Sequence, residues 1–125
     1  MDTVLRSRSR QVTIGSHQPL CIIGERINPT GRKAFAEALR AGDLSEILKD
    51  VDDQVAAGAH VLDVNMGVPL TDEADLLARA VRLVQEHTDL PICIDSSVVE
   101  ALASGLAAYE GKALVNSVTC ERERL

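Results

Sequence analysis

Acidic and carboxamide side chains recur in this chain where short apolar stretches end. Residues 91–97 alternate apolar side chains into Asp95, and Ser96 follows directly. Three further apolar stretches end in the same type of side chain, at Glu25, at Asp63 with Asn65, and at Asn116. A carboxylate accepts paired N–H bonds from an amino-pyrimidine edge, and a carboxamide both donates to and accepts from ring atoms. These six side chains are therefore predicted to bind a neutral heterocycle.

Other chemistries find less support in the same residues. No Lys, His or Cys is placed among them as a nucleophile or base, so we predict no catalytic residue. Carboxylate and amide oxygens also bind Mg²⁺, which leaves a magnesium site as a less favoured alternative. Cys21, Cys93 and Cys120 lie too far apart for a CxxC motif and are interpreted as buried thiols. The histidines show no ligand spacing either, and no metal site is predicted.

Short strands and amphipathic helices must position the candidate side chains. We predict strands at 20–24, 61–65, 91–95 and 113–116, and a helical pattern follows each of the first three. Capping boxes at Asp43 and Ser97 and a cap at Thr71 or Asp72 are expected to start helices. Asp50 is interpreted as part of a solvated helix face. Parallel α/β proteins gather binding groups at the carboxyl ends of their strands, so the four strand ends form one candidate site.

The spacing of the strands indicates the architecture. Each interval between strand ends averages about one eighth of a (β/α)₈ barrel, which runs to roughly 250 residues. We therefore predict the α/β class and the N-terminal half of a TIM barrel, with about four βα units. A doubly wound sheet is the second choice, because Gly24 and its neighbours supply no GxGxxG turn. Residues 1–18 are expected to be a flexible tail, with a short strand considered at 12–14, and residues 19–125 the domain that carries the site.

Composition excludes several classes of partner. The net charge is −6, the pI is near 5.0 and aromatic residues make up only 2% of the chain, so neither a basic groove nor base-stacking platforms are expected. No apolar run approaches the roughly 20 residues of a membrane span. We predict no nucleic-acid or membrane partner. Because the three cysteines are interpreted as reduced thiols, a cytoplasmic location is favoured.

Four sequence motifs in this order and spacing resemble the pterin-binding family. The motifs are IGERIN from residue 23, LDVNMG from residue 62, CIDSS from residue 93 and VNS from residue 115. They are most similar to the methyltetrahydrofolate:corrinoid methyltransferases and to the folate-binding module of cobalamin-dependent methionine synthases. Dihydropteroate synthases are a more distant match, because their Gly- and Ser-rich loops are not seen here. The resemblance extends from about residue 20 to the end.

The resemblance implies a function and assigns residues to it. It implies that the pterin lies across a (β/α)₈ barrel, where Asp95 and Asn116 bind it and Asp63 and Asn65 line the same pocket. It also implies methyltetrahydrofolate as the methyl donor and a corrinoid, held by a separate protein or domain, as the acceptor. The family's remaining pterin-binding Asp and the Asn that assists at N5 belong to later strands, which this sequence does not contain. A non-catalytic half-barrel that binds pterin or a corrinoid protein is therefore the alternative.

A half-barrel is not expected to be stable alone. Four strands leave two unpaired edges and open the barrel interior. We expect water to reach the inward-facing apolar side chains, which are Cys21, Ile23, Val61, Cys93 and Leu114. The sequence ends within a predicted helix start at 121–125. We therefore expect a missing C-terminal half, or else edge-to-edge homodimers.

Overall fold

A parallel four-stranded sheet with helices on one face forms the centre of the molecule. The computed structural model describes residues 2–116. In chain order the elements are β1 (Thr3–Arg6), β2 (Gln11–Ile14), β3 (Ile23–Ile27), α1 (Lys33–Arg40), α2 (Ser45–Ala56), β4 (Val61–Asn65), α3 (Glu73–His87), β5 (Ile92–Asp95), α4 (Val99–Ala108) and β6 (Leu114–Asn116). The strand order β3-β4-β5-β6 follows the sequence, and every neighbouring pair is parallel. The predicted α/β class and its four parallel strands are confirmed, and the closed barrel stays a prediction.

The main core lies between this sheet and the helices. Leu62, Val64, Ile92 and Ile94 alternate with the candidate site residues and are fully buried against the helices. The helices supply apolar side chains at helical spacing, such as those of α3. The opposite face of β4 and β5 is thereby left for polar side chains at the carboxyl ends of the strands.

Helix starts agree only in part with the predicted caps. Asp72 is the N-cap of α3, where its side chain accepts a hydrogen bond from the Asp75 N–H at 3.2 Å, as predicted. The two predicted capping boxes, at Asp43 and Ser97, are wrong. The helices α2 and α4 begin two residues after these positions, at Ser45 and Val99, and neither has a side-chain cap bond. Asp43 instead accepts from the Ser45 N–H at 2.9 Å, within the turn before the helix.

The first strand of the sheet begins three residues later than predicted. β3 starts at Ile23, and its register against β4 shifts between Gly24 and Ile27. The Gln54 side-chain oxygen on α2 accepts the N–H groups of Arg26 at 2.7 Å and Glu25 at 2.9 Å, in the amide orientation that satisfies these donors. A helix side chain thus takes the place of a neighbouring strand, which is why the strand bulges here.

A β-hairpin covers the amino end of the sheet. β1 and β2 pair in antiparallel fashion from Thr3↔Ile14 to Arg6↔Gln11, so the expectation of a flexible tail does not describe residues 3–14. The hairpin is anchored because Leu5, 1% exposed, packs on Val61 and Cys93. The domain boundary at residue 19 stays a prediction.

The same hairpin corrects one step of the stability argument. Val61 and Cys93 were expected to face water, but Leu5 buries both. Cys21 and Leu114 are partly buried beside them, and Ile23 remains 36% exposed. The inner face of the sheet, which is the face opposite the helices, is therefore closed at its amino end within the described chain.

Two short connections hold the hairpin to the end of the sheet. The backbones of Arg6 and Lys112 exchange two hydrogen bonds, at 2.8 and 2.9 Å. Gly111 precedes this bridge with φ of +137°, and an added Cβ would lie 2.1 Å from the Arg6 carbonyl oxygen, so only glycine fits. The Tyr109 hydroxyl donates to the same carbonyl at 2.6 Å and accepts from the Ile92 N–H at 3.3 Å.

Within residues 2–116, none of the helices is long and apolar enough to cross a membrane. The predicted helix start at 121–125 and Cys120 lie outside the described part of the chain.

Candidate pterin site

Three of the candidate side chains form one row across neighbouring strands. Asn65 at the end of β4 is in register with Asp95 at the end of β5, and Asp95 is in register with Asn116 at the end of β6. Neighbouring strands lie about 4.8 Å apart, so the row presents a carboxylate between two carboxamides over about 10 Å. That length matches a fused two-ring heterocycle.

Asp63 lies on the same strand as Asn65, one position nearer the amino end on the same face of the sheet. It precedes Asn65 by two residues on β4, pairs with Cys93 and therefore shares the inner face of the sheet. Its side chain is buried, with 2% exposure. The pKa of Asp63 is raised to about 7, first by burial and then by the hydrogen bond with Asp95 and the charges of Asp95 and Glu25.

The Cys93 thiol lies beside the same carboxyl group. Burial raises the pKa of Cys93 far above its ordinary value, and the hydrogen bond to Asp63 raises it further. The thiol is therefore protonated and serves as a weak donor to Asp63. Cys93 is buried and Cys21 partly buried, as the interpretation of structural thiols predicted for these two.

Glu25 lies at the edge of this group instead of in the row. It stands within β3, at the bulge, and is exposed. Its charge contributes to the raised pKa values of Asp63 and Cys93, so the carboxylate lies near both groups. The sequence placed Glu25 just past a strand, and the later start of β3 moves it inside one.

Asn65 is held by its own loop. Its Oδ1 accepts the Gly67 N–H at 2.8 Å, which forms a tight turn after β4. An added Cβ at Gly67 would lie 3.2 Å from that oxygen, so the turn leaves little space for a side chain. Because Oδ1 is engaged, the amide nitrogen of Asn65 is the group that remains for donation to a ligand.

Ser96 turns away from the row and joins two loops. Its hydroxyl donates to the Glu73 carboxylate on α3 and accepts from the Val98 N–H at 3.0 Å. Its own N–H donates to the Asn116 carbonyl at 2.7 Å, which extends the pairing of β5 and β6. Sequence reasoning missed Glu73, because an acid in the first turn of a helix is ordinarily explained by the helix dipole.

An ion pair that the sequence did not predict fixes the loop after β3. Asp50 on α2 is 2% exposed, so its interpretation as part of a solvated face is wrong. The Arg32 guanidinium donates to both of its carboxylate oxygens, at 2.7 and 3.2 Å, and to the Arg26 carbonyl at 2.6 Å. The guanidinium also lies 4.5 Å from the centre of the Phe35 ring. The loop therefore has a fixed position beside β3.

The donor set suits a neutral ring better than a metal. Across residues 2–116, no group of three or more His, Cys, Asp and Glu side chains is arranged to hold a metal ion. The row instead alternates acceptors with groups that can both donate and accept. This pattern complements the alternating donors and acceptors of an amino-pyrimidine edge.

Comparison with known proteins identifies the class. Residues 24–125 match the model of the family described as "Pterin binding enzyme". The chain belongs to this family.

Two curated relatives narrow the comparison. The methionine synthases of Mycobacterium leprae (strain TN) and Mycobacterium tuberculosis (strain ATCC 25618 / H37Rv) are each 41% identical to this chain over 101 residues. The match covers 80% of this chain but 8% of each relative. The chain thus corresponds to a small part of these relatives.

Proposed function

We propose that this chain binds the pterin ring of methyltetrahydrofolate for methyl transfer to a corrinoid held by a partner protein or domain. The observation that carries the proposal is the row Asn65–Asp95–Asn116, with Asp63 directly below it. Membership of the pterin-binding family supports binding of the pterin ring. The similarity to methionine synthases supports methyltetrahydrofolate as the methyl donor and a corrinoid as the acceptor.

Each candidate side chain has a distinct part in the proposal. Asp95 accepts the paired N–H groups of the ring edge, and Asn116 bonds the neighbouring ring atoms. Asn65 donates its amide N–H to a ring acceptor, while Glu25 borders the pocket from β3. Ser96 serves the site indirectly by fixing the turn after Asp95 through Glu73. The corrinoid, when bound to its own carrier, supplies the cobalt that accepts the methyl group.

The barrel is part of the same proposal. Within the described chain, β3 and β6 are the outer strands of the four-stranded sheet, each with one neighbour. Four further βα units, from the same polypeptide or another, would pair with both strands and close the pocket over the row. These units would also supply the later-strand residues that the resemblance assigns to the ring and to N5.

The proposal is tested by substitution in the row. In the complete gene product, Asp95→Ala should weaken methyltetrahydrofolate binding at least about tenfold, because a polar contact of this kind contributes on the order of 1–3 kcal/mol. Isothermal titration measures the affinity. Asp89→Ala is the matched control, since Asp89 is exposed and pairs with Arg10 at the other end of the sheet. Equal affinities for the two variants would refute the assignment of Asp95.

A non-catalytic binding module is the second candidate, and a dihydropteroate synthase-like enzyme the third. The absence of Lys, His or Cys from the row Asn65–Asp95–Asn116 favours the module. Two assays distinguish these candidates from the methyltransferase. One measures methyl transfer from methyltetrahydrofolate to a cobalt(I) corrinoid, and the other measures condensation of a pterin with an aromatic amine. Binding without turnover, with all subunits of the assembly present, would support the module, and condensation of a pterin with an aromatic amine would support the synthase.

A further inference from the structure

Asp63 and Asp50 are two equally buried carboxyl groups with opposite surroundings. Both are 2% exposed. Asp50 has the Arg32 guanidinium on both oxygens. Asp63 forms no ion pair with any described residue, and Asp95 presents a second carboxyl group on the same face of the neighbouring strand, two residues beyond Cys93, which is the register partner of Asp63. A buried charge without a partner is strongly disfavoured, so the surroundings of Asp63 favour its neutral form.

The carboxyl groups around Asp63 favour a proton on it, and only the hydrogen bond from the Cys93 thiol acts in the opposite direction. From β3 it meets the charge of Glu25, and from β5 it meets the Cys93 thiol and the Asp95 carboxylate. Its neighbours on β4, Leu62 and Val64, face the helices and offer no charge. Two neighbouring carboxyl groups with no cation between them favour sharing one proton, and burial favours that proton on the more buried group. Asp63 is buried, whereas Asp95 is partly exposed at the strand end.

We infer that Asp63 is a positioning residue that carries a proton in mildly acidic solution and donates it in a hydrogen bond to Asp95. The bond fixes one Asp95 oxygen and leaves the other oxygen aimed at the ligand. The value of about 7 for the pKa of Asp63, which burial raises, agrees with this geometry. The role in ligand binding rests on the proposed function, whereas the proton on Asp63 does not.

The inference makes pterin binding depend on pH. When Asp63 loses its proton, two like charges face each other inside the sheet and Asp95 loses its fixed orientation. If only the protonated form binds well, the dissociation constant rises up to about tenfold per pH unit above the pKa of Asp63. Below that pKa the affinity is constant.

The first measurement needs no ligand. Infrared difference spectra of the full chain at about pH 5.5 and about pH 8.5, on either side of the Asp63 pKa, should show the C=O stretch of a protonated carboxyl that disappears at the higher pH. Asp63→Asn should remove this band. Asp50→Asn, the same change at the ion-paired aspartate, should leave the band in place. A wild-type spectrum without the band, or a band that survives in Asp63→Asn, would overturn the inference.

The second measurement uses methyltetrahydrofolate as the probe. The carboxamide that Asp63→Asn introduces would still donate to Asp95, so this variant should bind within about threefold of wild type at about pH 5.5, without the loss at higher pH. Asp63→Ala, which has no donor, should bind at least about tenfold more weakly than wild type at about pH 5.5. Equal weakening in both variants would overturn the positioning role. Failure of the wild type to bind would refute the proposed function, while the infrared spectra would still show whether Asp63 is protonated.

Discussion

The two ends of the four-stranded sheet are built from opposite chemistry. At the amino end, Leu5 of the hairpin closes over Val61 and Cys93 in a buried apolar contact, and backbone bonds and exposed ion pairs surround it. At the carboxyl end, the same strands finish in Asp95 and its in-register neighbours, which carry polar side chains. A strand thus has an apolar end that stabilises the fold and a polar end that carries the candidate site, as is typical of parallel α/β proteins.

The difference teaches where stability and function can be altered separately. Substitutions at the amino end should change the free energy of unfolding and leave ligand affinity unchanged. Substitutions at the carboxyl end should change affinity, and removal of the buried carboxyl group should even raise stability. The following experiments test this separation.

The largest effect is expected at Leu5. Leu5→Ala leaves a cavity above Val61 and Cys93, and such a change costs about 2–5 kcal/mol. Urea unfolding measures the loss. The matched control is Leu70→Ala, because Leu70 is 99% exposed and its loss should stay within about 0.5 kcal/mol. A small effect at Leu5 would mean that the hairpin is only loosely attached, and the contrast between the two ends would fail.

The next effect concerns Asp63 and has the opposite sign. The folded-state pKa of about 7 lies above the ordinary value of 3.8, so the folded chain binds more protons between these values. The free energy of unfolding therefore falls as pH rises from about 4 to about 7. Asp63→Asn should remove this part of the fall and stabilise the protein at about pH 8 by roughly 2 kcal/mol, after a discount for solvent screening.

The variant-minus-wild-type difference, measured by urea unfolding across this pH range, separates Asp63 from other titrating groups. It should approach a constant near pH 4, where both side chains are neutral. A difference that does not change with pH would show that Asp63 is not the group responsible.

Tyr109 gives a smaller effect at the amino end. Tyr109→Phe removes the hydroxyl that bonds the Arg6 carbonyl and the buried Ile92 N–H. An unsatisfied buried donor costs about 1–3 kcal/mol. Thermal unfolding should show the loss, while methyltetrahydrofolate affinity of the folded protein stays unchanged. A weakened affinity would show that the hairpin end is coupled to the binding end.

The sequence predicted the strands that depend on local pattern alone. β4, β5 and β6 lie within about one residue of their predicted bounds, because apolar runs between turn residues leave little choice of register. β3 was misplaced because Gln54, far along the chain on α2, sets its bulge. The hairpin was missed because Leu5 becomes a buried residue only through Val61 and Cys93, which are distant in sequence.

The candidate site shows the same limit. The row Asn65–Asp95–Asn116 follows from strand direction and alternation, so sequence could predict that these side chains meet. The partners of Ser96 and Asp50 could not be predicted, because Glu73 and Arg32 reach them across 23 and 18 positions of sequence. Local patterns reveal which face a side chain occupies, and tertiary packing decides what it contacts.

The smallest effect is expected at the charged rim of the hairpin, and it completes the contrast. Arg8 pairs with Glu110, and Arg10 pairs with Asp89, but these side chains are about half exposed. Solvent screens such pairs, and each contributes about 0.2–1 kcal/mol. Arg8→Ala and Arg10→Ala should therefore each reduce the free energy of unfolding only slightly, and added salt should abolish the difference from wild type. If either variant matched the loss in Leu5→Ala, ion pairs would hold the hairpin in place, and the amino end would owe its stability to charge instead of to apolar packing.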